Sequence, residues 1–151
     1  MLTVNDVKPL LRGTLAFRLG LLGTLLSNQF GQRIEAELDL KLKHAGILVA
    51  LDIHGSASQQ ELATLVGVAP SLVVALADHL EALGAIERVR SDTDRRRMDL
   101  RLTPKGHALL VRCDEIAQTQ SDEVTSALTK PDREKLHKLL GAVAAHHKLP
   151  H

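Results

Sequence analysis

The chain has no tryptophan and no tyrosine, and Phe17 and Phe30 are its only phenylalanines, so stacking partners for a ligand are scarce. A single cysteine, Cys113, excludes an intramolecular disulfide and suits a reducing cytoplasm, which is the expected location. No Cys-x-x-Cys occurs, and His146, His147 and His151 sit in a terminal tail where adventitious metal binding is the ordinary outcome. Neither a metal nor a cofactor is expected. Charge of one sign is also lacking. The 19 Lys and Arg against 18 Asp and Glu leave +1, so the field of the whole molecule does little to attract nucleic acid, and local distribution must decide. The apolar stretch Thr14 to Leu26 is interrupted by Arg18, lacks a following small-x-small cleavage site and is too short to span a bilayer. It reads as the core of a buried helix, and no membrane partner is expected. Nucleophile elbow, glycine-rich phosphate loop and paired-acid motif are all missing, so an enzyme is not expected.

Hydrophobic residues make up 44% of the 151 and charged residues 25%, which suits one ordinary globular domain. The punctuation is densest between Ser56 and Thr103. Ser58-Gln-Gln-Glu61 is a capping box, in which hydroxyl and carboxylate each satisfy a backbone amide that a new helix leaves unpaired. Gly67 stands where a helix ends in a left-handed residue, and Pro70 suits the first position of the next helix. In that second helix Val73, Leu76, Ala77, Leu80 and Leu83 recur at three- and four-residue spacing, so one face is buried, and Gly84 ends it. Ala85 to Arg90, the polar tip Ser91 to Arg97 and the alternating Met98 to Leu102 then predict a long hairpin. From Arg88 to Arg101 the arginines 88, 90, 95, 96, 97 and 101 face the aspartates 92, 94 and 99, a local positive excess that favours phosphate contact at the tip.

Helix, tight turn, helix and arginine-rich hairpin make a winged helix-turn-helix. The ordered series Glu61-Leu-Ala63, Gly67-Val68, Asp78 to Gly84, Asp94-Arg-Arg96 and Leu102-Thr-Pro-Lys-Gly106 resembles the multiple antibiotic resistance regulator (MarR) family of bacterial transcription factors, over nearly the whole chain. The resemblance implies a mainly α fold with a small β-wing, in which N- and C-terminal dimerisation helices flank the winged unit. It implies a single domain over 1–151, with the winged helix-turn-helix at about 44–103 and the dimerisation helices at about 8–40 and 104–148. Periodicity agrees. A first helix from Lys8 or Pro9 to Glu37 carries the seam Leu11, Leu15, Leu19, Leu22, Leu26, Phe30, Ile34 and Leu38, a second spans His44 to Ile53, a fifth runs from Thr103-Pro104 to about Leu128, and Thr129 caps a sixth. The first is apolar over so much of its circumference that cover by a partner chain is more economical than solvent exposure.

The expected function is a DNA-binding transcriptional regulator, a repressor, that grips a pseudo-palindromic operator as a homodimer and is released by a small organic effector. The competing reading is a winged-helix protein-interaction module with weak or lost DNA binding. The groove face of the second helix of the motif offers Ser71, Leu72, Val74, Ala75, Asp78 and His79. Family members commonly carry threonine and arginine at the positions of Leu72, Val74 and Ala75, so readout here leans on thymine methyls and DNA shape. Ser58, Gln59 and Gln60 stand at a helix start that can receive a phosphate. By resemblance Asp94 and Arg96 brace the wing while Arg95 or Arg97 reaches a minor groove. Many relatives bind small organic anions between dimer helices and reader, for which Phe17, Arg18, Asn28, Phe30, His44 and His54 are the candidates.

Overall fold

The computed structural model describes residues 13–92 and 94–149. Thr14 opens the first helix by accepting a hydrogen bond from the Phe17 N–H at 3.2 Å, and α1 spans Leu15–Leu38. This helix thus begins at Leu15, after the turn at Gly13 and the capping Thr14; Lys8, Pro9 and Leu11 of the expected helix lie outside the described residues. The apolar seam of α1 divides in two. Ile34 is fully buried, with Phe30 and Leu38 packed on the same core, whereas Leu15, Leu19, Leu21, Leu22 and Leu25 are exposed.

Asp39 adopts a left-handed φ of 56° and turns the chain into α2 (Leu42–His54). There follow β1 (Ser56–Ala57), α3 (Gln59–Val66), α4 (Pro70–Ala82), β2 (Ile86–Arg90), β3 (Met98–Leu102), α5 (Pro104–Val124) and α6 (Lys130–His146). The sheet is antiparallel in the order β1-β3-β2, with Ser56 opposite Arg101 and Ile86 opposite Leu102. Core side chains from α2, α3, α4 and the sheet meet at Ile47, Leu48, Leu51, Leu62, Val73, Leu80 and Leu100, all essentially without solvent contact. Each such side chain stabilises the fold by about 1.5–3 kcal/mol over an exposed one.

The expected alternation along β3 holds only in part. Leu100 and Leu102 face the core, but Met98 is exposed and Asp99 is buried at 4% exposure. The capping box at Ser58 is formed as expected: its hydroxyl accepts from the Glu61 N–H at 3.2 Å, and its own N–H donates to Glu61 Oε2 at 2.7 Å. Gly67 is left-handed at φ 67°, as its place after α3 requires.

The Leu102-Thr-Pro-Lys-Gly106 motif has a packing cause. Thr103 Oγ1 donates to the Gly84 carbonyl at 2.6 Å and accepts from the Gly106 N–H at 3.1 Å, while Thr103 N–H donates to Ala85 O at 3.0 Å. A Cβ on Gly106 would land on the Ala85 carbonyl oxygen, so only glycine lets α5 start this close to β2. Gly106→Ala is expected to cost about 2–3 kcal/mol of stability and to lower Tm by about 5–10 °C. An unaltered melting curve would show that the start of α5 can shift at no cost.

The chain divides into two compact units, one ending at Ile116 and the other beginning at Ala117. In the second, α5 stops at Val124, four residues short of the expected Leu128. Ser121 and Thr125 hydroxyls bond carbonyls four residues back, at 2.8 and 2.6 Å, and compete with continued helix. Thr129 then caps α6 as expected, accepting from the Asp132 N–H at 3.4 Å. Leu136, Leu139, Leu140 and Val143 on α6 are all exposed. Among the described residues no single helix is long and apolar enough to cross a membrane.

Candidate nucleic-acid interface

Helix α4 has two faces of different chemistry. Val73, Leu76, Ala77 and Leu80 are buried, and a rotation of about 100° per residue leaves Ser71, Leu72, Val74, Ala75 and Asp78 on the exposed side. Leu72 and Val74 keep 44% and 42% of their surface in solvent, so they do not pack inside the protein. Asp78 is committed sideways, to the Arg88 guanidinium at 2.9 Å, and Arg88 also pairs with Glu81 at 3.1 Å, which fixes β2 to α4.

His79 departs from the expected groove face. Its Nε2 lies 2.8 Å from the Asp39 carbonyl oxygen and 3.6 Å from the Asp39 carboxylate, and its ring stacks on His44 at 4.6 Å. One helical turn from Leu76 and one step from Leu80, it belongs to the inward flank of α4. It ties that helix to the α1–α2 corner instead of to a groove.

The wing sorts its arginines into two classes. Arg88, Arg97 and Arg101 are neutralised by acidic partners, Arg101 by Glu87 directly across the sheet at 2.7 Å. Arg90, Arg95 and Arg96 are exposed and form no ion pair with any described residue. Arg97 is therefore not the free, groove-seeking guanidinium expected of it: its Nε lies 3.1 Å from the buried Asp99 carboxylate and its other nitrogens approach Glu61 and Ser91. Asp94 braces the tip as expected, but through the main chain. Its carboxylate accepts from the Arg96 N–H at 2.9 Å and its carbonyl from the Arg97 N–H at 2.9 Å, which leaves the Arg96 guanidinium outward. Arg90 completes the unpaired set; its place in the arginine count was the only signal for it in the sequence.

At the start of α3, Ser58 is buried in its capping box, Gln59 is half-buried and Gln60 exposed. Bonding from the Ser58 N–H and hydroxyl, with Arg97 beyond, holds the Glu61 carboxyl below its ordinary range.

The six residues expected to hold an organic anion are not gathered at one place. Arg18 and Phe30 are twelve residues apart on α1, about 18 Å along the axis, and His44 and His54 about 15 Å apart on α2. Arg18 and Asn28 are exposed, Phe17 is half-buried and Phe30 packs on the core. His54 borders a cleft of about 570 Å³ between α3 and the wing, lined also by Ser56, Thr64, Leu65 and Asp92. His44 is a structural group. Its Nδ1 accepts from the Lys41 N–H at 2.8 Å, so the ring must stay unprotonated there. Burial first, then His79 and Lys41, push its pKa from 6.5 down to about 4, against a smaller opposing pull from Asp39. The unfolded chain takes up this proton before the folded one. The stability conferred by the neutral ring is thus complete above pH 6.5 and is withdrawn as pH falls toward 4. Urea titrations should show this acid limb, with a slope up to about 1.4 kcal/mol per pH unit, and His44→Asn should flatten it. An identical limb in that variant would rule His44 out as the titrating group.

Burial likewise raises the Cys113 thiol above its ordinary value, as expected of an inert core cysteine.

A family model described as MarR family matches residues 38–97, the span from the α1–α2 corner to the wing. A protein of Thauera aromatica assigned to transcriptional regulation of the hcr operon is 30% identical over 140 residues, covering 90% of this chain and 84% of its own. The chain belongs to the MarR family. Among solved structures, the transcriptional repressor CouR bound to a 23-mer DNA duplex is 30% identical, with a TM-score of 0.70 over 92% of this chain and 99% of that one. Apo wild-type MarR of E. coli is 21% identical, with a TM-score of 0.77 over 86% of this chain and 96% of its own, a likeness of fold. MarR-family proteins are winged-helix transcription regulators, not enzymes.

Proposed function

We propose that this protein is a cytoplasmic repressor that binds a pseudo-palindromic operator as a homodimer and is released from it by a small organic anion. The observation that carries the reading is the surface of the winged unit: an exposed, uncommitted face of α4 at Ser71, Leu72, Val74 and Ala75, and a wing whose Arg90, Arg95 and Arg96 form no ion pair with any described residue. Apolar side chains on a groove helix contact thymine methyls, and unpaired guanidinia suit phosphates or a narrow minor groove. The start of α3, with Gln59 and Gln60 beside the capped Ser58, adds a site where a helix amino end meets a phosphate. The CouR complex supports duplex DNA as the partner.

Dimerisation is supported by the uncovered leucines of α1 and, separately, of α6. A two-fold dimer reads half-sites about one helical turn, ~10 base pairs, apart. For the effector, Phe17 and Arg18 near the start of α1 remain the apolar surface and counter-charge, because His44 and Phe30 are committed to the fold.

Selection of bound duplexes from a random pool tests the reading: it should enrich pseudo-palindromes of that spacing. Enrichment of nothing above background, with the protein a monomer at micromolar concentration, would sink it. Within the selected operator the preferences should be shallow, since each missing bidentate contact forgoes about 1–3 kcal/mol of discrimination. The exceptions are thymines that face Leu72 or Val74. Replacing those thymines by uracil removes only a methyl group and should weaken binding; equal affinity would mean that the apolar face does not read methyls.

A further inference from the structure

Asp99 is buried although it lies on the face of β3 opposite Leu100 and Leu102, with its side chain 6% exposed. A buried carboxylate needs a partner, and the partner comes from the wing itself: Arg97 Nε stands 3.1 Å from Asp99 Oδ1, an ion pair outside hydrogen-bonding angles. The same guanidinium reaches Ser91 Oγ at 3.4 Å on the opposite limb of the hairpin and Glu61 Oε1 at 3.5 Å on α3. Glu61 is bound at its other oxygen, Oε2, by the N–H and hydroxyl of Ser58. One cation therefore joins both limbs of the wing to the first turn of α3. The main chain adds a second tie at the same level, Ser91 N–H to Arg97 O at 2.9 Å.

We propose that Arg97 is a positioning residue: it clamps the wing to the α3 cap so that its neighbours Arg95 and Arg96 are held outward for DNA, and it makes no phosphate contact itself. This rests on the reading that the wing meets DNA. A fixed wing spares the complex the entropy of ordering a loop that carries two long cationic side chains. Two acceptors and one carboxylate counter-charge on three segments also suit the planar fork of arginine, where lysine would offer a single point of charge.

The decisive variant is Asp99→Asn, because two accounts of Arg97 give opposite signs. If Arg97 contacts phosphate, removing the aspartate frees it and removes a negative charge, so binding to duplex DNA should tighten. If Arg97 is a clamp, the wing loosens and binding weakens, by about three- to fivefold, a small but measurable loss. The probe is a mixed-sequence duplex of about 30 base pairs, three helical turns, titrated between about 0.05 and 0.2 M salt. Amide hydrogen exchange of residues 91–98 is followed in the free protein. Glu61→Gln serves as a second variant, since glutamine can still close the capping box while losing the charge that faces Arg97. Faster wing exchange together with weaker binding in both variants is the expected result. Tighter binding, or wing exchange equal to that of the unsubstituted protein, overturns the clamp. Failure of the unsubstituted protein to bind the duplex would instead overturn the DNA reading on which the clamp depends, and that outcome is distinguishable because it appears before any variant is made.

Discussion

Lysine at both Leu22 and Leu25 is expected to turn the protein into a folded monomer and to lower its affinity for a two-half-site operator by about 10²- to 10⁴-fold, the advantage lost when linked binding events become independent. These side chains keep 48% and 47% of their surface in solvent within one chain, so their replacement removes little that the monomer buries. The same cannot be said farther along α1, where Ile34 is fully enclosed and a charge would unfold the winged unit. Sedimentation combined with titration of a one-half-site and a two-half-site duplex checks the expectation. A double variant that still sediments as a dimer and keeps its affinity would show that the leucines of α1 are not the contact.

The second large effect concerns the wing. Arg95→Ala combined with Arg96→Ala should flatten the slope of log affinity against log salt by about two units, since each phosphate neutralised contributes about 0.9. The loss should be similar for operator and unrelated DNA, because phosphate contacts carry no sequence information. Neither arginine has an acidic partner among the described residues, so the fold has nothing to lose and the Tm should hold. Arg97→Ala differs in kind: it strands the buried Asp99 and should lower stability as well as binding. If the double variant leaves both slope and affinity unchanged, the wing tip stays off the DNA.

The elements that local chemistry dictates were legible in the sequence. Ser58 with Glu61, Gly67, Pro70 and Gly84 mark helix ends through backbone valence and φ alone, and the spacing of Val73, Leu76, Ala77 and Leu80 names the buried face of α4. What stayed hidden depends on partners remote in the chain. The two residues of β1 are too few to show a period, and only their pairing with Leu100 and Arg101 makes them a strand. Asp99 reads as the polar half of an alternating strand until Arg97 and the neighbouring elements close over it. His79 carries a side chain suited to a groove, yet Asp39, forty residues away, claims it. For the arginines, a count of charges in the window 88–101 could not say which were neutralised, because Asp78, Glu81 and Glu61 lie outside that window.

The exposed quartet on α4 separates two kinds of change that many proteins couple. Ser71, Leu72, Val74 and Ala75 sit on a helix whose place is fixed by other residues, by Val73, Leu76, Ala77 and Leu80 from behind and by the ties at Asp78 and His79 from the flanks. Substitution at the four front positions therefore moves through sequence space with almost no thermodynamic drag, while the rear positions remain locked. On the proposed reading of DNA by these four residues, a lineage carrying this scaffold can exchange one target site for another in single steps, each leaving a folded protein, and duplicated copies can diverge in what they control before anything else about them differs.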